Sequence, residues 1–451
     1  MGLTADLCAR IAAARYEDMP PEALAAGRRL VLDGLAVAVA GVSEEEAVPI
    51  MARVLRTLGG TPVATAIACG FKIDPVRAAA LNGSAMHVLD FEPMWSPATH
   101  ALSVTLPVAL ALAEARGLQG REILTALIKG IEIQGWLREA SGQYTPDVLK
   151  FHPPGLVGPM GAVAVASHMM GLDAGRMAHA FGIVGSRCGT LFSNAGTMTK
   201  SAHCGQAAAM GLECALLAEA GFTGDNETFE SPLGWANTFC SGTFKPAELE
   251  HYGRAPWRVV SPGYAIKMFP SQFGTHFVIT AGLTVRDQVG DPGAIRSVRL
   301  TAPVMGYVNR PRPETGLSGK FSFQYTLAAA LLDGKVGIHT FTDARLQAAD
   351  MQALLGKITV DMDKAIPARF ETMHVALRIE MNDGRVVETR CNGPRGVWGQ
   401  PPIPVADHLV KVRDCLATRL APDAAERCVA LASRIDELAP AEVGELMALV
   451  A

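Results

Sequence analysis

Between Leu81 and His100 the chain reads LNGSAMHVLDFEPMWSPATH, with a lone acid in an apolar setting, Val88-Leu89-Asp90-Phe91, and histidines at 87 and 100. Histidine titrates near neutral pH and can give or take a proton, and a nearby carboxylate can fix its tautomer or hold a substrate hydroxyl. The same window also reads as an ordinary loop, with Asn82-Gly83 as a turn, Asp90 as a helix cap and His100 as a cap or a satisfied core residue. Three further segments carry related types. Phe151-His152-Pro153-Pro154-Gly155 sets a histidine before a rigid turn that opens a glycine-rich helix, whose end N–H groups could receive a carboxylate. Met198-Thr199-Lys200-Ser201-Ala202-His203 puts a lysine and a histidine three apart, on one face if helical. Lys267 to His276 adds a cation, the amide of Gln272 and another histidine. Each segment alone fits capping or solvated surface. Together they favour a site where histidine moves a proton to or from carbon while lysine holds carboxylate charge.

The elements that must bring these segments together are mainly helical up to about residue 260. Residues 5 to 15 and 21 to 40 carry apolar residues at three and four spacing, with Pro20-Pro21 opening the second run and Gly41 closing it. Val104 to Ala115 and Arg121 to Gly135 form a helical pair joined by a short connection suited to antiparallel packing. Gly155 to Leu172 has few charges but is interrupted by Pro159 and His168, and reads as a buried helix rather than a membrane span. After Trp257 short β-branched or alternating runs appear at Val298 to Thr301, Lys357 to Asp361 and His374 to Met381. Met381 to Arg385 reads as a hairpin turn into Val386 to Thr389. Helical runs lie between them at Phe321 to Leu332 and Asp343 to Leu355. From Val405 the chain returns to amphipathic helices. The fold expected is mainly α plus α/β: a large all-helical domain formed by both termini, residues 1–265 and 400–451, with an inserted smaller α/β lid domain, residues 266–399.

Composition narrows the function classes. The chain has 451 residues, 49% of them hydrophobic and 19% charged, and a net charge of −4, with no basic cluster dense enough for nucleic acid. Nine cysteines without a Cys-x-x-Cys pair argue against a disulfide framework or a zinc ribbon and fit a reduced cytoplasm. The N-terminus lacks the pattern of a signal peptide. No dinucleotide or phosphate-loop glycine motif, nucleophile elbow or His-Glu-x-x-His pair occurs. The eleven histidines show no tight ligand spacing with acids, so no cofactor and no metal are expected. The uncharged helices at 101 to 135 and 155 to 221 exceed what one helical layer needs and point to a homodimer through the helical domain.

These segments, in this order, resemble the MmgE/PrpD family, which includes 2-methylcitrate dehydratase, cis-aconitate decarboxylase and iminodisuccinate epimerase. The resemblance runs from Asn82-Gly83…His87-x-x-Asp90-Phe91 through Phe151-His152-Pro153, Lys200-x-x-His203 and Gly221-Phe222-Thr223-Gly224. It continues through Lys267-x-Phe269-Pro270…His276 to Lys320-Phe321-Ser322…Tyr325 and Gly334. It implies a dimeric, cofactor-independent lyase, a decarboxylase or dehydratase of a small di- or tricarboxylic acid, with Asp90, His100, His152 and Lys200 lining its cleft. Trp95 to His100 is closest to the decarboxylases. His203, Lys267, Gln272 and His276 are the expected substrate-binding residues, with Tyr325 reaching across from the lid. Two departures bear on substrate: the common Asp-Phe-Asp-Asp run is Asp90-Phe91-Glu92-Pro93, and a histidine of the decarboxylases is Gln272. An epimerase of an imino- or amino-dicarboxylate and a carboxylate-binding protein without turnover are the alternatives.

Overall fold

Helix starts follow the prolines and caps of the sequence. Pro21, Pro75 and Pro153 each occupy a first helical position, where a missing N–H costs nothing. The computed structural model describes residues 2–144 and 149–451. In chain order the first half gives α1 (Leu3–Ala13), α2 (Pro21–Glu44), α3 (Ala47–Leu58), α4 (Pro75–Val88), α5 (Leu102–Arg116), α6 (Gly120–Ser141), α7 (Pro153–Met170), α8 (Ala174–Gly185), α9 (Met198–Glu219) and α10 (Trp235–Phe239). Two small antiparallel pairs accompany them: β1 (Ala64–Ala66) with β2 (Phe71–Ile73), and β3 (Met94–Trp95) with β4 (Tyr264–Ala265). The second pair ties the loop after α4 to a segment 171 residues away in sequence, Met94 opposite Ala265.

The second half begins with α11 (Phe273–Val289) and β5 (Ile295–Pro303), followed by α12 (Gly316–Gly319), α13 (Phe323–Asp333), α14 (Asp343–Leu346) and α15 (Ala349–Leu355). The strands β6 (Ile358–Asp363), β7 (Val375–Met381) and β8 (Val386–Cys391) complete a four-stranded sheet of order β6-β5-β7-β8, parallel between β5 and β6 and antiparallel elsewhere. The sheet and α11 and α13 enclose one apolar core. The last helices, α16 (Val405–Leu416), α17 (Pro422–Ala432) and α18 (Pro440–Leu449), bury Val412, Leu416, Leu431 and Leu446 in the same core as α2, α4, α5 and α6. With 57% helix and 9% strand the chain is mainly α plus α/β. Among the described residues no helix is long and apolar enough to cross a membrane.

Several local expectations need correction. Asn82-Gly83 is no turn but lies inside α4, where the Asn82 side chain pins β1 through the Ile67 N–H and the Thr65 carbonyl, both at 2.9 Å. Residues 343 to 355 form two short helices rather than one. The turn after Met381 is as expected, with the Met381 N–H on the Arg385 carbonyl at 2.9 Å and Gly384 at φ +88°. Of the uncharged helices behind the dimer expectation, most of α5 and nearly all of α7 are covered within the single chain, whereas α8 and α9 are only partly buried. The buried faces of α5 and α7 are therefore not the surface on which a dimer could form.

Gly83 instead serves a helix crossing. A Cβ there would lie 2.6 Å from the Ser103 carbonyl oxygen and 2.9 Å from the Gly205 Cα, and a Cβ on Gly205 would run into the Ala80 carbonyl. The two glycines let α4 and α9 touch backbone to backbone, one turn from His87 and near Lys200. Gly205→Ala is expected to cost about 1–3 kcal/mol, because backbone cannot yield as a side-chain tip can. It should also lower turnover by moving His87 away from Lys200; a melting curve together with kinetics checks both.

Candidate active site

Four segments converge where α4 ends. Asp90 follows the last turn of α4 with φ +50°, in the left-handed region that asparagine and aspartate tolerate better than most residues, its N–H on the His87 carbonyl at 2.8 Å. This turn sends the carboxylate into the protein, where two lysines meet it. Lys200 Nζ, from the first turn of α9, is 2.9 Å from Asp90 Oδ2. Lys267 Nζ takes Asp90 Oδ1 and also the Asp90 and Ser271 carbonyls, at 2.8 and 3.2 Å. Burial alone would raise the Asp90 pKa; Lys200 and then Lys267 outweigh it and hold the carboxyl well below its usual range.

A second buried acid orders the imidazoles. Glu92, fully buried, accepts from His87 Nδ1, while His87 Nε2 is 2.7 Å from Lys200 Nζ. An ammonium can only donate, so His87 Nε2 accepts and its proton resides on Nδ1, facing Glu92. His87 is thus neutral. The same Glu92 oxygen is 2.9 Å from His100 Nδ1 without hydrogen-bond alignment, and Ser103 Oγ donates to it at 3.3 Å. The His87 and His100 rings are 4.3 Å apart, and His152 lies 5.5 and 5.7 Å from them. His152 stands just before α7, its N–H on the Thr190 carbonyl at 2.8 Å, and its side chain makes no capping bond. His203 backs it, Nδ1 to Nδ1 at 3.3 Å.

Asp90, His100, His152, Lys200 and Gln272 line one cleft with Thr99, Tyr307 and apolar walls from Met94, Phe192 and Phe321. Arg369 and Glu371 join it from the chain before β7. Lys200 spends two N–H groups on Asp90 and His87, leaving one for the cleft among the described residues. Gln272 caps α11 through the Gly274 N–H at 2.7 Å and donates to the Tyr307 hydroxyl at 2.8 Å, so that hydroxyl is free to donate into the cleft. Lys267 and His203 sit one layer behind rather than on the wall.

Two expected residues lie elsewhere. Tyr325 is fully buried, its hydroxyl committed to the Thr340 carbonyl, so it does not reach across. His276 packs between Phe269 and Phe273 and faces a separate groove with Ile266, Leu283 and Ile403. The start of α7 offers little to a carboxylate, since Pro153 and Pro154 have no N–H and that of Gly155 is on the His152 carbonyl at 2.9 Å. The fold also groups histidines that are scattered in sequence: ligand atoms of His87, His100 and His152, and of Asp90, Glu92 and His100, lie within 4.8 Å of one another. Both nitrogens of His87 are already engaged, by Glu92 and Lys200, so an ion using His87 would have to displace one of them.

Burial lowers His87 and His203 from 6.5 to about 4, and holds His152 well below 6.5 as well. Below pH 6.5 the unfolded chain takes up protons that the fold refuses, so the stability these groups contribute is complete above that pH and is lost as pH falls toward about 4. Asp90 and Glu92, both held low, lose their share only in more acid solution, below the ordinary carboxylate values of 3.8 and 4.5. Melting temperature is expected to drop on the acid side of about pH 6.5 and to drop less steeply in His203→Gln. A profile flat to about pH 4.5 would mean that these imidazoles are not held neutral.

The same order of segments is found in known proteins. The MmgE/PrpD N-terminal domain matches residues 5–247 and the MmgE/PrpD C-terminal domain residues 269–437. The chain belongs to the MmgE/PrpD family. It is 30% identical to cis-aconitate decarboxylase of Mus musculus over 429 residues, covering 91% of this chain and 86% of that protein. To the enzyme of that name from Homo sapiens it is 30% identical over 377 residues, 81% of this chain and 78% of the relative. To that of Aspergillus terreus it is 25% identical over 445 residues, 91% and 89%. In this MmgE/PrpD chain the two sequence departures are both built into the site. Glu92 contacts two imidazoles, and Gln272 supports Tyr307. His87, Glu92, Tyr307 and Arg369 were missing from the residues expected to form the site. For His87 the three-residue spacing to Asp90 was a usable signal; nothing near Arg369 in sequence gives one.

Proposed function

We propose that the protein is a cofactor-independent lyase that decarboxylates a small unsaturated di- or tricarboxylic acid, the class to which cis-aconitate belongs. The observation that carries this reading is one cleft in which the remaining N–H of Lys200 and two buried imidazoles, His100 and His152, face the same space. In the free protein burial keeps those imidazoles neutral. A substrate with two or three carboxylates adds negative charge beside them and raises their pKa, so the proton enters with the substrate. Lys200 and Tyr307 hold the carboxylates that stay. The C–C bond to the departing carboxylate breaks, carbon dioxide leaves, and the electron pair moves through the double bond. The far alkene carbon then takes the proton from His152 or His100, and solvent restores it. The similarity to proteins named cis-aconitate decarboxylase supports this choice over dehydration.

Carbon-13 NMR on a panel of polycarboxylates is the test. An unsaturated tricarboxylate should disappear with release of bicarbonate, at the same rate after dialysis against a chelator. Loss of activity that a divalent ion restores would overturn the cofactor-free reading. Epimerisation of an amino- or imino-dicarboxylate is a second reading: Glu371, 3.6 Å from Arg369 Nε, is a cleft carboxylate that a substrate cation could share with that arginine. It would invert configuration with no loss of mass. Binding shifts without any conversion would leave a carboxylate-binding protein.

A further inference from the structure

The acid at the centre of the site has an unusual backbone, and what holds it there comes from the far end of the chain. Asp90 has φ +50°, and the carbonyls on either side of the following peptide nitrogen, those of Asp90 and Phe91, each accept from a buried lysine. Lys267 takes the first at 2.8 Å. Lys411, on α16, takes the second at 2.8 Å, with its ammonium 4.2 Å from the Phe91 ring centre. Lys411 is absent from the substrate cleft and reaches the loop from its opposite side, beside a separate groove lined by Val410, Asp414 and Thr418.

Lys411 is itself fixed by a buried network that no catalytic step uses. Asp33 of α2 accepts from Lys411 Nζ and His408 Nε2, both at 2.8 Å, and the side chains of all three are at most 2% exposed. Arg29 Nε donates to His408 Nδ1 at 3.2 Å, so His408 is neutral with its proton on Nε2, directed at Asp33. Arg29 also grips the Ile403 carbonyl at 2.8 Å, just before α16 begins. The acid and the lysine balance in charge, and the lysine's surplus N–H goes to the Phe91 carbonyl. A packing role alone would be met by an apolar pair of the same volume, which often costs a buried ion pair nothing to replace.

We propose that Lys411 is a positioning residue: with Asp33 and His408 it clamps the Phe91 carbonyl, holds Asp90 in its left-handed conformation and so keeps the Asp90 carboxylate against Lys200. The inference rests on the lyase reading for its kinetic consequences but not for its structural one. Two carbonyls in succession are anchored by cations from two different parts of the chain, which leaves the turn at Asp90 little freedom to relax to an ordinary φ.

The test is the double variant Asp33→Asn/Lys411→Met, which removes the clamp without stranding a buried charge. Its melting temperature should stay near that of the wild type, while kcat falls at least about tenfold and KM changes less than about threefold. A crystal structure should show Asp90 at negative φ or the Lys200–Asp90 contact opened. Wild-type kcat with an unmoved Asp90 would overturn the proposal and leave Lys411 as a core ion pair. Should the double variant not fold, Lys411→Gln, whose shorter neutral side chain cannot span Asp33 and the Phe91 carbonyl, answers the same question: a fall in kcat with Asp90 displaced supports positioning, and wild-type kcat or an unmoved Asp90 overturns it. The Asp90 conformation is read without substrate, so a wild type that consumes none of the panel would remove the lyase reading and leave this one decided by the structure.

Discussion

Lys200→Met should lower kcat/KM by about a hundredfold to a thousandfold, the usual cost of removing one charge-stabilising donor from a closed site. Two effects add in the same direction. The variant loses the N–H that faces the cleft, and it changes the local balance from two acids and two lysines (Asp90, Glu92, Lys200, Lys267) to two acids and one lysine, a net −1 facing an anionic substrate. KM should rise as kcat falls, because the same ammonium holds the ground-state carboxylate and the charge that develops. Asp90 keeps Lys267, so it is not left as a bare buried charge, and the protein should fold. Steady-state kinetics with a melting curve decides: full activity would remove Lys200 from the site.

His152→Gln should lower kcat by about a hundredfold to ten-thousandfold with little change in KM, the signature of a lost proton donor. Its main-chain bond to Thr190 survives the substitution, and its side chain does not cap α7, so thermal stability should hardly move. A stable, fully active His152→Gln would pass the proton-transfer role to His100. An unstable but active one would mean that the ring is needed for packing.

Much of this site could be read from the chain alone, and the gaps have physical causes. Asp90, His100, His152 and Lys200 stood out because they fall in segments that resemble the cleft of the MmgE/PrpD family; taken alone, each segment fitted capping or surface equally well. Tyr325 and His276 stood out for the same reason, but the Tyr325 hydroxyl is spent on the Thr340 carbonyl and the His276 ring packs between two phenylalanines with Nε2 unpaired among the described residues, and sequence cannot show which partner a side chain finds. Asn82-Gly83 carries the composition of a turn, yet tertiary packing against Gly205 needs a small residue within a helix, and that need prevailed. Glu92 read as a departure; its extra methylene relative to aspartate lets one carboxylate oxygen reach both His87 and His100. Arg369 and Glu371 enter from a stretch with no periodicity and no motif. Helices and strands, set by repeating local patterns, were legible to within a few residues, whereas contacts between segments far apart in sequence were not.

The separation of those segments has a consequence for synthesis on the ribosome. Asp90 emerges long before its partners: Lys200 follows 110 residues later and Lys267 177 residues later, while the lysine that grips the Phe91 carbonyl is 320 residues from it. At about 5–20 residues per second the carboxylate and the imidazoles around it remain on an unfinished chain for on the order of tens of seconds. A polypeptide released before α16 would carry the four cleft residues Asp90, His100, His152 and Lys200 without the helix that braces their turn. Translation products that end before residue 405 would therefore bury their acids poorly and be good substrates for quality-control proteases.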